Sequence, residues 1–241
     1  TCRTIKHRTW KFQAMTIHQR LLPCIAAVLF SAELMAHEFW IEPSTHSAPV
    51  GEDVQILLKE GLEFRGSAQP YLPSDFERFE HISAGATVAI QGLLGDSRPA
   101  ATIRLAPGLN QIIHHTVPFD IVFSEGDTRW ADYVALDGLA DQLAAHPALP
   151  QVTPVSERYV RSVKSLVIGG SGGVQDRLTG RLPYELVLEG SLKPGAQVFR
   201  LYAGDRHQSR ILIKAFRHSD RAVVDQAITD SDGRVTLRLP T

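Results

Sequence analysis

The sequence predicts a mainly β protein built from two sandwich-like units, with a short helical insertion near residues 129–146. Three observations predict it. Short apolar runs with a period of two recur between Ala48 and Phe123, separated by Gly- and Pro-rich turns, the pattern of a half-buried antiparallel sheet. A second series of such runs begins at Tyr184, after the glycine-rich stretch Gly169–Gly173. Between the two, Trp130, Tyr133, Val134 and Leu136 recur at helical spacing. Apolar residues make up 44% of the 241, which excludes a disordered chain.

Taken in order, Ala48 to Lys59 reads as a strand, because Val54, Ile56 and Leu58 alternate with polar neighbours after Pro49 and Gly51. Glu60 to Ser74 reads as a long loop, with Phe64 and Tyr71 as packing anchors. Arg78–Ile82, Thr87–Gln91, Ala101–Leu105, Gln111–Thr116 and Asp120–Phe123 follow as short strands of an antiparallel sandwich. Leu139, Leu143 and Ala144 continue the helical spacing after Asp137-Gly138, until Pro147 and Pro150 end it. Glu157 to Val167 fits a helix face, but its β-branched content favours one strand. In the second unit, Glu185–Leu188, Val198–Tyr202, Ile211–Phe216, Ala222–Ile228 and Val235–Leu239 are strand candidates, and Asp232-Gly233 is a hairpin signal. The expected division is upstream residues and signal 1–36, N-terminal unit 37–168, linker 169–183 and C-terminal unit 184–241. A sandwich of this size calls for one more strand after Thr241, so the second unit is expected either to be truncated there or to carry an unpaired edge at risk of aggregation.

The first 36 residues have a different character. From Met15 the pattern is that of a secretory signal: Arg20 closes a basic region, Leu21–Phe30 is apolar, and Ala36 is a small residue at the expected cut. The apolar run is far shorter than the roughly 20 residues of a spanning helix, so a cleaved signal is expected rather than a membrane anchor. Both cysteines, Cys2 and Cys24, precede the cut, so a chain starting at His37 has neither disulfides nor thiolate metal ligands. A cysteine-free secreted chain suits a bacterial periplasm. Residues 1–36 hold five Lys/Arg and one Asp/Glu, which leaves 20 basic and 25 acidic residues, a net of −5, in the remainder. That balance argues against nucleic acid as a partner.

Several stretches resemble the domain-of-unknown-function family DUF4198. They are His37-Glu38-Phe39-Trp40-Ile41-Glu42-Pro43 after the signal, Pro107-Gly108-Leu109, Trp130–Gln142, Glu157-Arg158-Tyr159 with Arg161 and Lys164, and Thr229-Asp230 with Asp232-Gly233-Arg234. The resemblance implies a periplasmic location and two β-sandwich-like units of the immunoglobulin-like or carboxypeptidase-regulatory-like kind. It also implies, loosely, a part in nickel or cobalt uptake, with a membrane transporter component as partner. The chain departs from the family in its missing C-terminal piece and in the His114-His115 pair.

His37 leads the candidate metal ligands. As an N-terminal residue it would offer an α-amine and an imidazole to a divalent transition metal, and such nitrogen ligation suits copper, nickel, cobalt or zinc, with copper favoured by intrinsic affinity. The alternative reading is a junction residue, with Phe39 and Trp40 packing the first strand. His114 and His115 are the candidate partners of His37 at that metal; they are adjacent on a strand and point to opposite faces, so only one can meet a given site, and one is expected in solvent and the other in the core. His46, His81, His207 and His218 read as surface histidines. Glu38 and Glu42 are candidate supporting carboxylates. Glu157, Tyr159, Arg161 and Lys164 read as a surface ladder. Asp230 and Asp232 lack the remainder of a calcium loop. There is no Gly-x-Ser-x-Gly elbow, no dinucleotide fingerprint and no His-Glu-x-x-His pair, so no enzyme is expected. The leading expectation is a soluble periplasmic metal binder. The alternative is an envelope module that docks a transporter or another envelope protein without metal.

Overall fold

The computed structural model describes residues 38–136, 138–148, 151–171, 182–191 and 195–239. The expected signal segment, His37 and most of the expected linker lie outside them.

The chain opens with β1 (Glu38–Pro43), β2 (Ser47–Ala48), β3 (Asp53–Leu62) and β4 (Arg65–Gln69). In β3, Val54, Ile56 and Leu58 are buried while Asp53 and Gln55 are exposed, as the alternation requires. The expected loop from Glu60 is instead the far end of β3 and its return as β4. The chain reverses at Glu63-Phe64, where both residues have left-handed φ, 51° and 56°, the geometry of a tight type I′ turn. Neither residue is Gly, Asn or Asp, so no turn signal was present to read, and each costs about 1–2 kcal/mol in that conformation. Tertiary contacts hold the turn. The Glu63 N–H donates to Glu38 at 2.8 Å, and the Phe64 ring packs between Trp40 and Phe216 at 5.2 and 5.0 Å. Gly61 and Gly66 lie directly opposite each other beside the turn. A Cβ on either would run into the partner strand's backbone.

Next come β5 (Phe76–Ser83), β6 (Ala86–Ala89), β7 (Ala101–Arg104), β8 (Gly108–Thr116) and β9 (Phe119–Phe123). Helices α1 (Arg129–Leu136) and α2 (Ala140–Ala145) follow, then β10 (Val155–Tyr159) and β11 (Ser162–Gly169). The expected insertion is thus two short helices, parted where Gly138 takes a positive φ. The stretch expected as one strand over 157–167 is two. The chain leaves its partner β9 at Tyr159 and begins pairing with β8 at Ser162. Arg161, at the switch, exchanges bonds with Thr116: its carbonyl accepts the Thr116 N–H at 3.0 Å, and its own N–H donates to Thr116 Oγ1 at 2.9 Å.

Two sheets face each other in this half. One joins β1, β3 and β4, with β7 also on β3; the other runs in the order β2-β11-β8-β5-β6. Ile41, Val54, Ile56, Leu58 and Ile103 from the first meet Phe79, Ile112 and Val167 from the second in one core. A smaller cluster forms where Tyr133 of α1 packs on Ile121, Phe123 and Val155 of the β9–β10 pair.

The C-terminal half contains β12 (Tyr184–Glu189), β13 (Gly195–Ala203), β14 (Arg206–His207), β15 (Leu212–Phe216), β16 (Val223–Ile228) and β17 (Arg234–Leu239). Gly233 makes the expected tight turn, with a φ of 72°, and Asp230 accepts the N–H groups of Asp232 and Arg234. The strands it joins do not form a hairpin, however: β16 pairs with β15, and β17 pairs with β13. The turn therefore carries the chain from one sheet to the other. Among the described residues no helix is long and apolar enough to cross a membrane.

Ile112 is fully buried at the centre of the larger core. Ile112→Ala is expected to lower unfolding free energy by about 2–5 kcal/mol, measured by urea denaturation, because the sandwich cannot close over the lost methyl groups.

Candidate functional site

Strand β8 lies between β11 and β5, and from Asn110 to Thr116 it is buried on both faces. The two histidines do point to opposite faces, but neither reaches solvent: His114 is 2% exposed and His115 7%. The expectation that one of them is solvated fails because a central strand has no open face here.

The two imidazoles have different surroundings. His115 Nδ1 lies 3.3 Å from the Arg161 carbonyl and 3.3 Å from Ser162 Oγ, and its Nε2 is 3.8 Å from Glu77. His114 is enclosed by the rings of Phe39, Phe76 and Phe79, with centroids at 5.0, 5.1 and 5.3 Å. Its Nδ1 is buried and has no hydrogen-bond partner among the described residues. Burial, with His115 adding repulsion, pushes the His114 pKa down to about 4. The ring is therefore neutral at neutral pH, with one nitrogen lone pair available to a ligand.

His114 lines a cavity of about 270 Å³. Arg161 forms part of the same wall. Its guanidinium donates to Glu60 at 2.6 Å and lies over the rings of Tyr159, Phe39 and Phe119 at 5.1, 5.8 and 5.9 Å. Arg161, Thr116, Glu60 and Asp75 bring polar groups to a wall that is otherwise mostly aromatic and aliphatic. This is the usual make-up of a small-ligand site.

The remaining sequence candidates are dispersed. His81 bonds through Nε2 to Asn110 Oδ1 at 2.7 Å, an anchor for the turn before β8. His207 lies beside Arg200 and Tyr202. His46 and His218, far apart in sequence, meet edge to face at 5.9 Å. The supposed surface ladder is no ladder. Tyr133 donates to Glu157, Arg161 reaches Glu60, and Lys164 makes an ion pair at 3.0 Å with Glu185, whose side chain is fully buried. The cross-strand pair of that region is Arg158 with Asp120, and it is exposed. Among the described residues no three His, Cys, Asp or Glu side chains are grouped to hold a metal ion.

The sequence reading missed Glu60, Phe76 and Phe119 as lining residues. An aromatic residue in a β protein looks like core, and nothing in the sequence marks which rings border a cavity. No family model, no curated protein and no solved structure matches this chain. The resemblance to DUF4198 rests on the quoted motifs alone.

The depressed His114 pKa sets a pH dependence. The unfolded chain takes up this proton near pH 6.5, whereas the folded chain resists it down to about 4. Stability is therefore lost as pH falls through that window, by about 3 kcal/mol at most, and levels off below it. His114→Phe, which places an apolar ring among apolar rings, is expected to remove most of this slope. Urea denaturation of both proteins between neutral and acid pH measures it, and parallel slopes would exclude His114 as the cause.

Proposed function

We propose that the protein is a non-catalytic periplasmic binder of a divalent transition metal, nickel or cobalt, in support of uptake by a membrane transporter. Copper is the strongest competitor by intrinsic affinity. The carrying observation is the buried, unpartnered Nδ1 of His114 beside the start of β1. Phe39, two residues after His37 in the sequence, packs against that imidazole. In a chain cleaved after Ala36, His37 would supply an α-amine and an imidazole, and His114 a third nitrogen. His115 fits less well, because its Nδ1 already faces the Arg161 carbonyl and Ser162. The pairing of Arg161 with Glu60 lessens the repulsion a cation would meet in this pocket. The resemblance to DUF4198 supports both the location and the choice of metals.

A second reading, a docking module without metal, is favoured by one observation. Leu93 and Leu94 are largely solvent-exposed in the loop after β6, an edge strand whose Val88 is also exposed.

N-terminal sequencing of the secreted protein should place its first residue at His37. Calorimetric titration of that protein with Ni²⁺, Co²⁺ and Cu²⁺ should show one site, weakened at least about tenfold in His37→Ala and in His114→Phe, a loss of about 1.4 kcal/mol or more. Equal affinity in all three proteins, or a different first residue, would remove this reading and leave the docking module.

A further inference from the structure

A second cavity, of about 380 Å³, opens where β1 and β11 meet the β15–β16 hairpin. It is separate from the His114 pocket in its chemistry, although Phe39 borders both. One wall is aromatic: Trp40, Phe64 and Phe216 form a continuous run of tilted ring contacts, at 51° and 50°, that spans the two halves of the chain. The surrounding wall is cationic, with Lys164, Lys214, Arg217 and Arg221. Among the described residues Glu42 is its one acidic member, and that carboxylate is already engaged. It accepts the Trp40 Nε1–H at 3.1 Å and pairs with Lys59 at 3.3 Å and Arg221 at 2.9 Å. The carboxylates that answer Lys164 and Arg217, Glu185 and Asp220, are not part of the wall.

Backbone strain is concentrated at the same place. Among the described residues, five that are not glycine have positive φ. Phe64 and Arg221 line this cavity, and Glu63 shares the Phe64 turn. Strained conformations persist where the surrounding contacts hold them, and they cluster at ligand sites. Here the strain presents an aromatic face and a guanidinium to one space.

We propose that this cavity binds a small planar aromatic carboxylate. The ring faces offer stacking to a flat apolar body. Lys164 and Arg221 are largely withdrawn from water, and the single Glu42 carboxylate answers both Lys59 and Arg221, which leaves a local surplus of positive charge that favours an anionic head. The cavity is large enough for a ring bearing one or two substituents.

The probe is benzoate, titrated calorimetrically into the full protein in the presence of a chelator, so that the result is independent of the metal reading. Benzyl alcohol, which keeps the ring, and acetate, which keeps the charge, are titrated in parallel. Benzoate should bind saturably, and each of the other two at least about tenfold more weakly. The double variant Lys214→Gln/Arg217→Gln alters two exposed side chains, so its melting temperature should match the wild type while benzoate affinity falls at least about tenfold. Phe216→Leu, measured alongside, should weaken benzoate without strengthening acetate. The absence of saturable benzoate binding below about 10 mM, equal binding of benzyl alcohol, or unchanged affinity in a folded double variant would each overturn the proposal.

Discussion

Burial of β8 on both faces is the constraint on which the rest of the larger sandwich depends. A central strand that no water reaches must find partners for every polar group it carries, and this one carries Asn110, Gln111, His114, His115 and Thr116 in sequence. Asn110 meets the demand completely. Its Oδ1 accepts from the Ala106 N–H and lies 2.7 Å from His81, and its Nδ2 donates to the Ala106 and Gly108 carbonyls. Thr116 and the Arg161 backbone satisfy each other and set the point where β10 gives way to β11. His114 breaks the rule. A buried donor or acceptor left unpaired costs about 1–3 kcal/mol, and here it lies against the aromatic side of a cavity. That departure makes it the residue to which a functional reading attaches.

The junction between the two halves shows the opposite strategy. No described ladder runs from the strands before residue 170 to those after 183, so side chains make the connection. Lys164 and Glu185 form a buried ion pair. Removing one partner of such a pair is far more costly than keeping both, about 3–5 kcal/mol, because the survivor is left charged in a dry place. Around Glu42, burial alone would raise the pKa; the Trp40 hydrogen bond, with Lys59 and Arg221, outweighs it and holds the carboxyl below its ordinary value. The ring contacts of Trp40, Phe64 and Phe216 cross the same junction, and Arg65 donates to the Asp220 carbonyl beside them. These contacts depend on direction and charge, which suits a surface that also borders a cavity.

Alternation, glycine and proline spacing, and helical periodicity were enough to read the mainly β class and the helices near 129–146. They were also enough for most strands, because each of these signals acts within a few residues. The failures share a cause. The Glu63-Phe64 turn has no turn residue, and the aromatic contacts of Phe64 and the Glu63 N–H bond to Glu38 make its left-handed backbone tolerable. The Asp232-Gly233 turn formed as its residues demand, yet its strands parted, because each had a better partner elsewhere: β15 for β16 and β13 for β17. Lys164 looked like a surface charge until Glu185, 21 residues away, was brought against it.

By itself the sequence determined the local matters: which segments extend, where the chain bends for glycine, and that His114 and His115 look opposite ways, since a strand alternates its side chains whatever surrounds it. Tertiary structure alone decided that both faces of β8 are covered, that Arg161 meets Glu60 across 101 residues, and that His114 has no partner while His115 has several. Burial and cavities arise from surfaces that meet only after the sheets have paired, and no spacing along the chain encodes them.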